Sequence, residues 1–321
     1  MRHPKSSCNS IASPFDGDRS TTAQSQSMPR RVFVQSVAAV AAGVALAPHT
    51  ASAAANESAG SLPAGSILKS VKFGMIEGPS DVLGKFQLCQ ELGFDGMELI
   101  SPFDVAAAEI RRASDATQMP VHGVVDMKHW EIRLSSPDPK VREQGREILI
   151  QAIKDAASFG GHTVLLVPGA VRGADETHDD VWKRSIPEIR LAVPTASRLG
   201  VRILIENVWN GFCETPEQLR DYLDEIDSPW VGSYFDIGNV RKFGPSEDWI
   251  QTLGSRIVKL DVKDWGKSNG FCKIGDGDVN WPAVRKALGA IGYRGWSTAE
   301  VAGGPRERLA DIKARMDRVL G

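Results

Sequence analysis

Between Val71 and Val301 the chain alternates between short β-rich runs and amphipathic stretches with helical spacing. The β-rich runs are Val71–Ile76, Phe94–Leu99, Pro120–Val125, Thr163–Val167, Val201–Glu206, Val231–Asp236, Ile257–Lys263 and Trp296–Val301. Between them apolar residues recur at helical intervals, as in Val82/Phe86/Cys89 and Leu219/Tyr222/Leu223/Ile226. Thr215-Pro216-Glu217 reads as a helix start, with Thr capping and Pro in the first helical position. Strands joined through helices must run parallel, because each crossover returns along a face of the sheet. Eight such units in about 250 residues predict an α/β chain folded as a (β/α)8 TIM barrel. The rival is a doubly wound open sheet, which carries a Gly-rich phosphate loop after an early strand. This sequence has no such loop.

Ahead of the first unit the chain changes character. Residues 1–27 are polar, and Arg30-Arg31 then precede an Ala/Val-rich run from Val37 to Leu46 and the small-residue site Ala51-Ser52-Ala53. Paired arginines, a short apolar core and an Ala-x-Ala site resemble a twin-arginine export signal. The apolar run is about half the ~20 residues of a membrane span, so no stable anchor is expected after cleavage. The expected organisation is a disordered leader plus signal over 1–53, a linker over 54–69 and a catalytic barrel over 70–321. The expected location is periplasmic or secreted, with Met28 an alternative start. Removing 1–53 leaves 33 basic and 38 acidic residues, so a formal charge of -2 becomes -5. That charge offers nothing for gripping nucleic acid. Cys89, Cys213 and Cys272 are odd in number and far apart, so no disulfide framework is implied.

In a TIM barrel the chemistry gathers at the C-terminal ends of the strands. Those ends are predicted to carry Glu77, Glu98, His122, Pro168, Glu206-Asn207, Asp236, Asp261 with Lys263, and Glu300. Side-chain alternation turns Lys259, Asp261 and Lys263 inward, and likewise Glu206 and the Trp296/Thr298/Glu300 row. Carboxylates that converge on one mouth repel unless a cation or a proton compensates. Glu206, Asp236, Asp261 and Glu300 offer only oxygen, which favours one hard divalent cation, Mg2+ or Mn2+, over zinc. Lys263 or Lys259 would offset the remaining charge; ordinary salt bridges are the alternative reading of the cluster.

At these residues the chain resembles the xylose-isomerase-like TIM barrels of the sugar phosphate isomerase/epimerase superfamily. The matching pieces run from Gly93-Phe-Asp-Gly-Met-Glu98 and Val121-His122-Gly through Ile205-Glu206-Asn207 and Phe235-Asp236-Ile-Gly-Asn239. They continue with Asp261-Val-Lys263-Asp264, Gly275-Asp-Gly-Asp-Val-Asn-Trp281 and Gly292-Tyr-Arg-Gly295 before Glu300. The resemblance implies one divalent metal held by Glu206, Asp236, Asp261 and Glu300, with Glu206 and Glu300 also moving a proton on either face of a sugar. The family usually has His where this chain has Asp261 and Asn239. Asp261 is a harder, more anionic ligand, and Asn239 keeps a hydrogen-bonding group on the substrate side.

Other residues carry double readings. Lys263 either stabilises a developing enolate or neutralises Asp261. His122 is either a substrate group or a satisfied barrel histidine, Trp209 either a wall for a sugar ring or packing, and Glu98 either polar lining or a ligand. His129, Trp130 and Arg172 lie in loops that would cover a pocket. The expected activity is isomerisation or epimerisation of a sugar or keto-sugar. A 3-keto-glycoside lyase or hydrolase using the same enolate chemistry and a non-catalytic sugar-binding barrel are the alternatives. The expected partner is a small carbohydrate, with a homo-oligomer as a further expectation. A DNA-repair endonuclease on this barrel needs a His-rich zinc cluster, which four histidines beyond residue 53 do not supply.

Overall fold

Among the described residues, eight parallel strands close on themselves into a barrel. The computed structural model describes residues 62–63 and 65–321, so the expected export signal lies outside the described residues. The strands are β1 Ile67–Lys72, β2 Gly96–Ser101, β3 Val121–Asp126, β4 Thr163–Leu166, β5 Arg202–Glu206, β6 Val231–Asp236, β7 Ile257–Val262 and β10 Gly295–Ala299. A hairpin of β8 (Asp264–Gly266) and β9 (Gly270–Cys272) follows β7 outside the barrel. Eight helices alternate with the strands: α1 Val82–Glu91, α2 Ala107–Thr117, α3 Pro139–Phe159, α4 His178–Leu199, α5 Pro216–Ile226, α6 Ser246–Leu253, α7 Trp281–Ala290 and α8 Arg306–Leu320. Among the described residues no helix is long and apolar enough to cross a membrane.

Local chemistry sets the element ends. Thr215 and Gln218 form a reciprocal capping box with Pro216 at the first helical position, as expected. Gly160 and Gly200 close α3 and α4 in the left-handed region, at φ 93° and 68°. Seven strands lie within two residues of their predicted positions. The first does not.

β1 spans Ile67–Lys72, not Val71–Ile76, and Phe73–Met75 form a 3-10 turn beyond it. Three residues of the expected linker, 67–69, are therefore strand. The cause is pairing: Ile67 through Val71 match Gly295 through Ala299 on β10. In that register Ile67 and Val71 face the helices, and Lys69 reaches out to Asp317 and the Gly321 carbonyl near the end of α8. An outward lysine in the first strand broke the apolar pattern that sequence reading relies on.

The main core lies between strands and helices, where Ile203, Ile205, Leu260 and Val262 face outward as predicted. Inside the barrel the contents divide. Val125, Leu165, Leu204 and Tyr234 make a small apolar cluster on one side. On the other lies a closed set of buried polar groups. Tyr234 donates to Glu98 Oε1 at 2.9 Å and its hydroxyl meets Thr298 Oγ1 at 2.7 Å. Ser70 donates to Thr298 at 2.9 Å and lies 2.8 Å from His122 Nε2. Lys259 bonds His122 Nδ1 and approaches Glu98 Oε1 at 3.8 Å. With Lys259 donating to a neutral His122, each member donates to the next, ending on Glu98. Burial, and then Lys259 and Lys72, hold His122 well below the usual histidine range, consistent with that neutral ring.

Candidate active site

Four carboxylates meet at the C-terminal mouth. Glu206 and Asp236 end β5 and β6, Asp261 is the penultimate residue of β7, and Glu300 follows β10 directly. One oxygen from each lies within 4.8 Å of all the others. Asp236 and Asp261 are fully buried, whereas Glu206 and Glu300 retain some exposure. The inward row predicted for β7 explains Asp261, and the outward Ile203 and Ile205 explain Glu206.

Two lysines are threaded through the cluster. Lys72 Nζ donates to Glu300 Oε1 at 2.6 Å and to Asp261 Oδ2 at 3.1 Å. Lys263 Nζ sits 3.0 Å from Asp236 Oδ2 and 2.5 Å from Glu300 Oε2. Sequence reading missed Lys72, because the expected first strand ended at Ile76 and put Glu77 at the mouth instead. The signal was the Leu68/Ser70/Lys72 alternation, hidden by Lys69. Glu77 lies outside the carboxylate cluster, on a surface hollow beside Pro305 and Arg306.

The backbone beneath is interlocked. Asn207 and the Asp236 main chain exchange two hydrogen bonds, of 2.9 and 3.0 Å. Asn239 donates its side-chain amide to the Asn207 carbonyl, and its N–H bonds Asp236 Oδ1 at 2.8 Å. Asn239 Oδ1 then faces Lys263 Nζ at 3.4 Å. The amide found where the family usually has His is thus spent on joining β5, β6 and Lys263.

The electrostatics are sharply divided. Burial pushes Glu206 well above the ordinary carboxylate range, reinforced by Glu300 and Asp261. Burial likewise drives Asp261 well up despite Lys72, and takes Asp236 up to about 7 against the pull of Lys263. Burial alone would raise Glu300, yet Lys72 and Lys263 together hold it well below its usual range. Burial pulls both lysines down, but the surrounding carboxylates outweigh it and hold each ammonium firmly protonated.

The donor set fits a divalent cation. Its oxygens are spaced as around an ion with ligands at about 2.0–2.6 Å, and buried Asp261 Oδ1 has no hydrogen-bond partner. Four carboxylates against two ammonium groups leave two negative charges, which one divalent ion cancels. No Cys or His belongs to the cluster, so its donor set is oxygen only.

Two cavities open around Glu300. The inner one, of about 240 Å³, is lined by Lys72, Glu206, Glu300, His129 and Trp130. The outer one, of about 510 Å³, is lined by Lys263, Glu300, Phe271, Val301 and Arg308. Glu98 and His122 line neither; both belong to the buried polar set, where Glu98 accepts from Tyr234 and His122 bonds Ser70 and Lys259. Trp209 donates its indole N–H to the Asn239 carbonyl at 2.6 Å and stacks behind Phe271. Arg172 bonds the Trp130 carbonyl from the rim.

The loop after β9 has a structural task. Buried Asp264 accepts from the N–H groups of Trp265, Gly275 and Val279 and from the Trp281 indole. That single carboxylate ties the hairpin to the Gly275–Trp281 segment and fixes Phe271 beside the mouth.

A model of the xylose isomerase-like TIM barrel family matches residues 86–318. The chain belongs to that family. Among curated relatives, the putative L-ribulose-5-phosphate 3-epimerase SgbU of Escherichia coli strain K12 is 27% identical over 228 residues, covering 65% of this chain and 79% of the relative. Among solved structures, D-psicose 3-epimerase of Clostridium cellulolyticum H10 superposes with a TM-score of 0.65 at 18% identity, covering 79% and 99% of the two chains. The 3-keto-D-glucoside 4-epimerase YcjR of E. coli superposes at 0.67 with 17% identity, covering 79% and 98%. The two superpositions each cover 79% of this chain and support the barrel fold.

Proposed function

We propose that this chain is an exported, divalent-metal-dependent isomerase or epimerase of a sugar or keto-sugar, working by proton transfer next to a carbonyl. The observation that carries the reading is the convergence of Glu206, Asp236, Asp261 and Glu300 within 4.8 Å at the barrel mouth. The epimerase relatives and family membership support it, and the oxygen-only donor set favours Mn2+ or Mg2+. When bound, the metal ion polarises a carbonyl and its neighbouring hydroxyl, so that the C–H between them becomes acidic.

The chain's own residues do the rest. Asp236 and Asp261 are buried and serve as ligands only. Glu206 and Glu300 reach the inner cavity, from strands with β6 and β7 between them, and exchange the proton with the sugar carbon. Lys72 and Lys263 hold Glu300 in place from two sides, and Lys263 stands near enough to offset charge developing on an enolate oxygen. Trp130 and His129 wall the inner cavity and limit water there. Export rests on the Arg30-Arg31 segment and its Ala51-Ser52-Ala53 site.

The test is elemental analysis of the purified protein paired with a solvent-deuterium exchange screen over keto-sugars. The expected result is one equivalent of Mn2+ or Mg2+ and metal-dependent deuterium uptake at the carbon beside a carbonyl. Sugar binding without metal or exchange would instead identify a non-catalytic carbohydrate-binding barrel.

A further inference from the structure

The outer cavity has no task in proton transfer, yet it is built beside the reacting centre. Glu300 lines both cavities, so a sugar held over Glu300 in the inner one has the outer one as the adjoining space. The inner volume of about 240 Å³ is below the usual 300–1,000 Å³ of drug-sized sites and suits a single ring. The outer volume is about twice as large.

Its wall is an aromatic stack held in the open. Phe271, the middle residue of β9 and paired with Trp265, is 51% exposed. Trp209 stacks behind it at 4.8 Å, with Trp265 edge-on to Trp209 at 5.9 Å. Lys242 lies 4.9 Å from the centre of the Trp209 ring, and Lys263 lies 5.2 Å from that of Phe271. The Phe271 ring is thus positioned by Trp209 and Lys263, and its exposed part lines the cavity. Val301 and Ala302 continue that surface on the other side of Glu300.

The cations Arg308 and Lys273 of this cavity share one carboxylate, Asp311, with Arg315. Arg308 donates to Asp311 at 2.8 Å and to the Ala302 carbonyl at 3.1 Å, and Lys273 faces Asp311 at 3.9 Å. Both bring hydrogen-bond donors to the cavity, which suits the hydroxyl groups of a sugar.

We propose that the outer cavity is a subsite for a second sugar ring, so that the substrate is a keto-disaccharide whose reacting ring lies over Glu300 and whose linked ring stacks on Phe271. This inference rests on the keto-sugar reading of the site and adds the substrate class. A pyranose fits because it offers an apolar C–H face to the aromatic ring and hydroxyls at its edge.

The experiment compares 3-keto-glucose, methyl 3-keto-glucoside and 3-keto-cellobiose with its ketone on the non-reducing ring, by calorimetric binding and by solvent-deuterium exchange, on the metal-loaded full chain. The disaccharide is expected to bind at least tenfold tighter than the monosaccharide, with the methyl glycoside close to the monosaccharide. Phe271→Ser is expected to reduce the disaccharide-to-monosaccharide ratio to within twofold. Leu191→Ser, exposed on α4, keeps the ratio. Exchange into the monosaccharide with a ratio near one, or a ratio insensitive to Phe271→Ser, overturns the second-ring subsite alone. Absence of exchange and binding for all three sugars overturns the keto-sugar reading and this subsite with it.

Discussion

Lys72 and Glu300 form a 2.6 Å ion pair across the seam where the first strand of the barrel meets the last. The same ammonium holds Asp261 at 3.1 Å. One side chain therefore restrains two of the four carboxylates, and it does so in competition with any cation they bind. A charge at roughly 4 Å is worth about 4 kcal/mol at an effective dielectric of 20, and every tenfold in affinity is about 1.4 kcal/mol.

Lys72→Met should therefore tighten Mn2+ binding at least tenfold in calorimetric titration, because two ligand oxygens are released and one repelling charge is removed. It should also lower the exchange rate, since Glu300 loses one of the two groups that place it. Weaker metal binding in the variant would show instead that the lysine assembles the donor set.

Glu206→Gln and Glu300→Gln keep the shape of the mouth but remove a ligand charge and a proton-transfer group. Each should cut deuterium exchange by about 10²–10⁴-fold and reduce bound metal by elemental analysis. A variant that retained both exchange and metal would remove that glutamate from the site.

Gly238 lies where a side chain has no room. A Cβ there would stand 2.5 Å from Lys263 Cγ and 2.8 Å from the Lys263 carbonyl. Gly238→Ala should cost about 1–3 kcal/mol in chemical denaturation and displace Lys263 from Asp236. An unchanged unfolding midpoint would show that the Lys263 segment yields without strain.

Asp126, buried at the end of β3, has its carboxyl raised to about 6 by burial, offset in part by the N–H groups of Lys128 and His129. Its folded value lies above the unfolded one, so its contribution to stability is present below about pH 4 and lost as pH rises through 6. Asp126→Asn keeps an acceptor for the Lys128 N–H and cannot ionise. The stability of the variant relative to the parent should rise between pH 4 and 7 by roughly 2–3 kcal/mol and then level off. Thermal unfolding followed by circular dichroism at several pH values reads this directly, and a flat difference would place a solvated carboxylate at Asp126.

Much of the site was legible because alternation is local. The outward Ile203/Ile205 and Leu260/Val262 pairs turn Glu206 and Asp261 inward whatever lies elsewhere in the chain. Depth was not legible. Glu98 and His122 share the inward direction of the site carboxylates, yet they belong to the polar set beneath the mouth. How far along the axis each inward residue sits depends on the stagger of neighbouring strands at closure.

The order of elements, the barrel and the carboxylates at successive strand ends were determined by the sequence itself, through periodicity and caps acting over a few residues. Lys72 was decided by tertiary structure, because its place depends on β1 pairing with β10 more than two hundred residues away. So were the separation of the mouth into two cavities and the exposed stand of Phe271 against Trp209. Strand pairing and ring stacking join residues remote in the chain, and no local pattern encodes which remote partner a side chain meets.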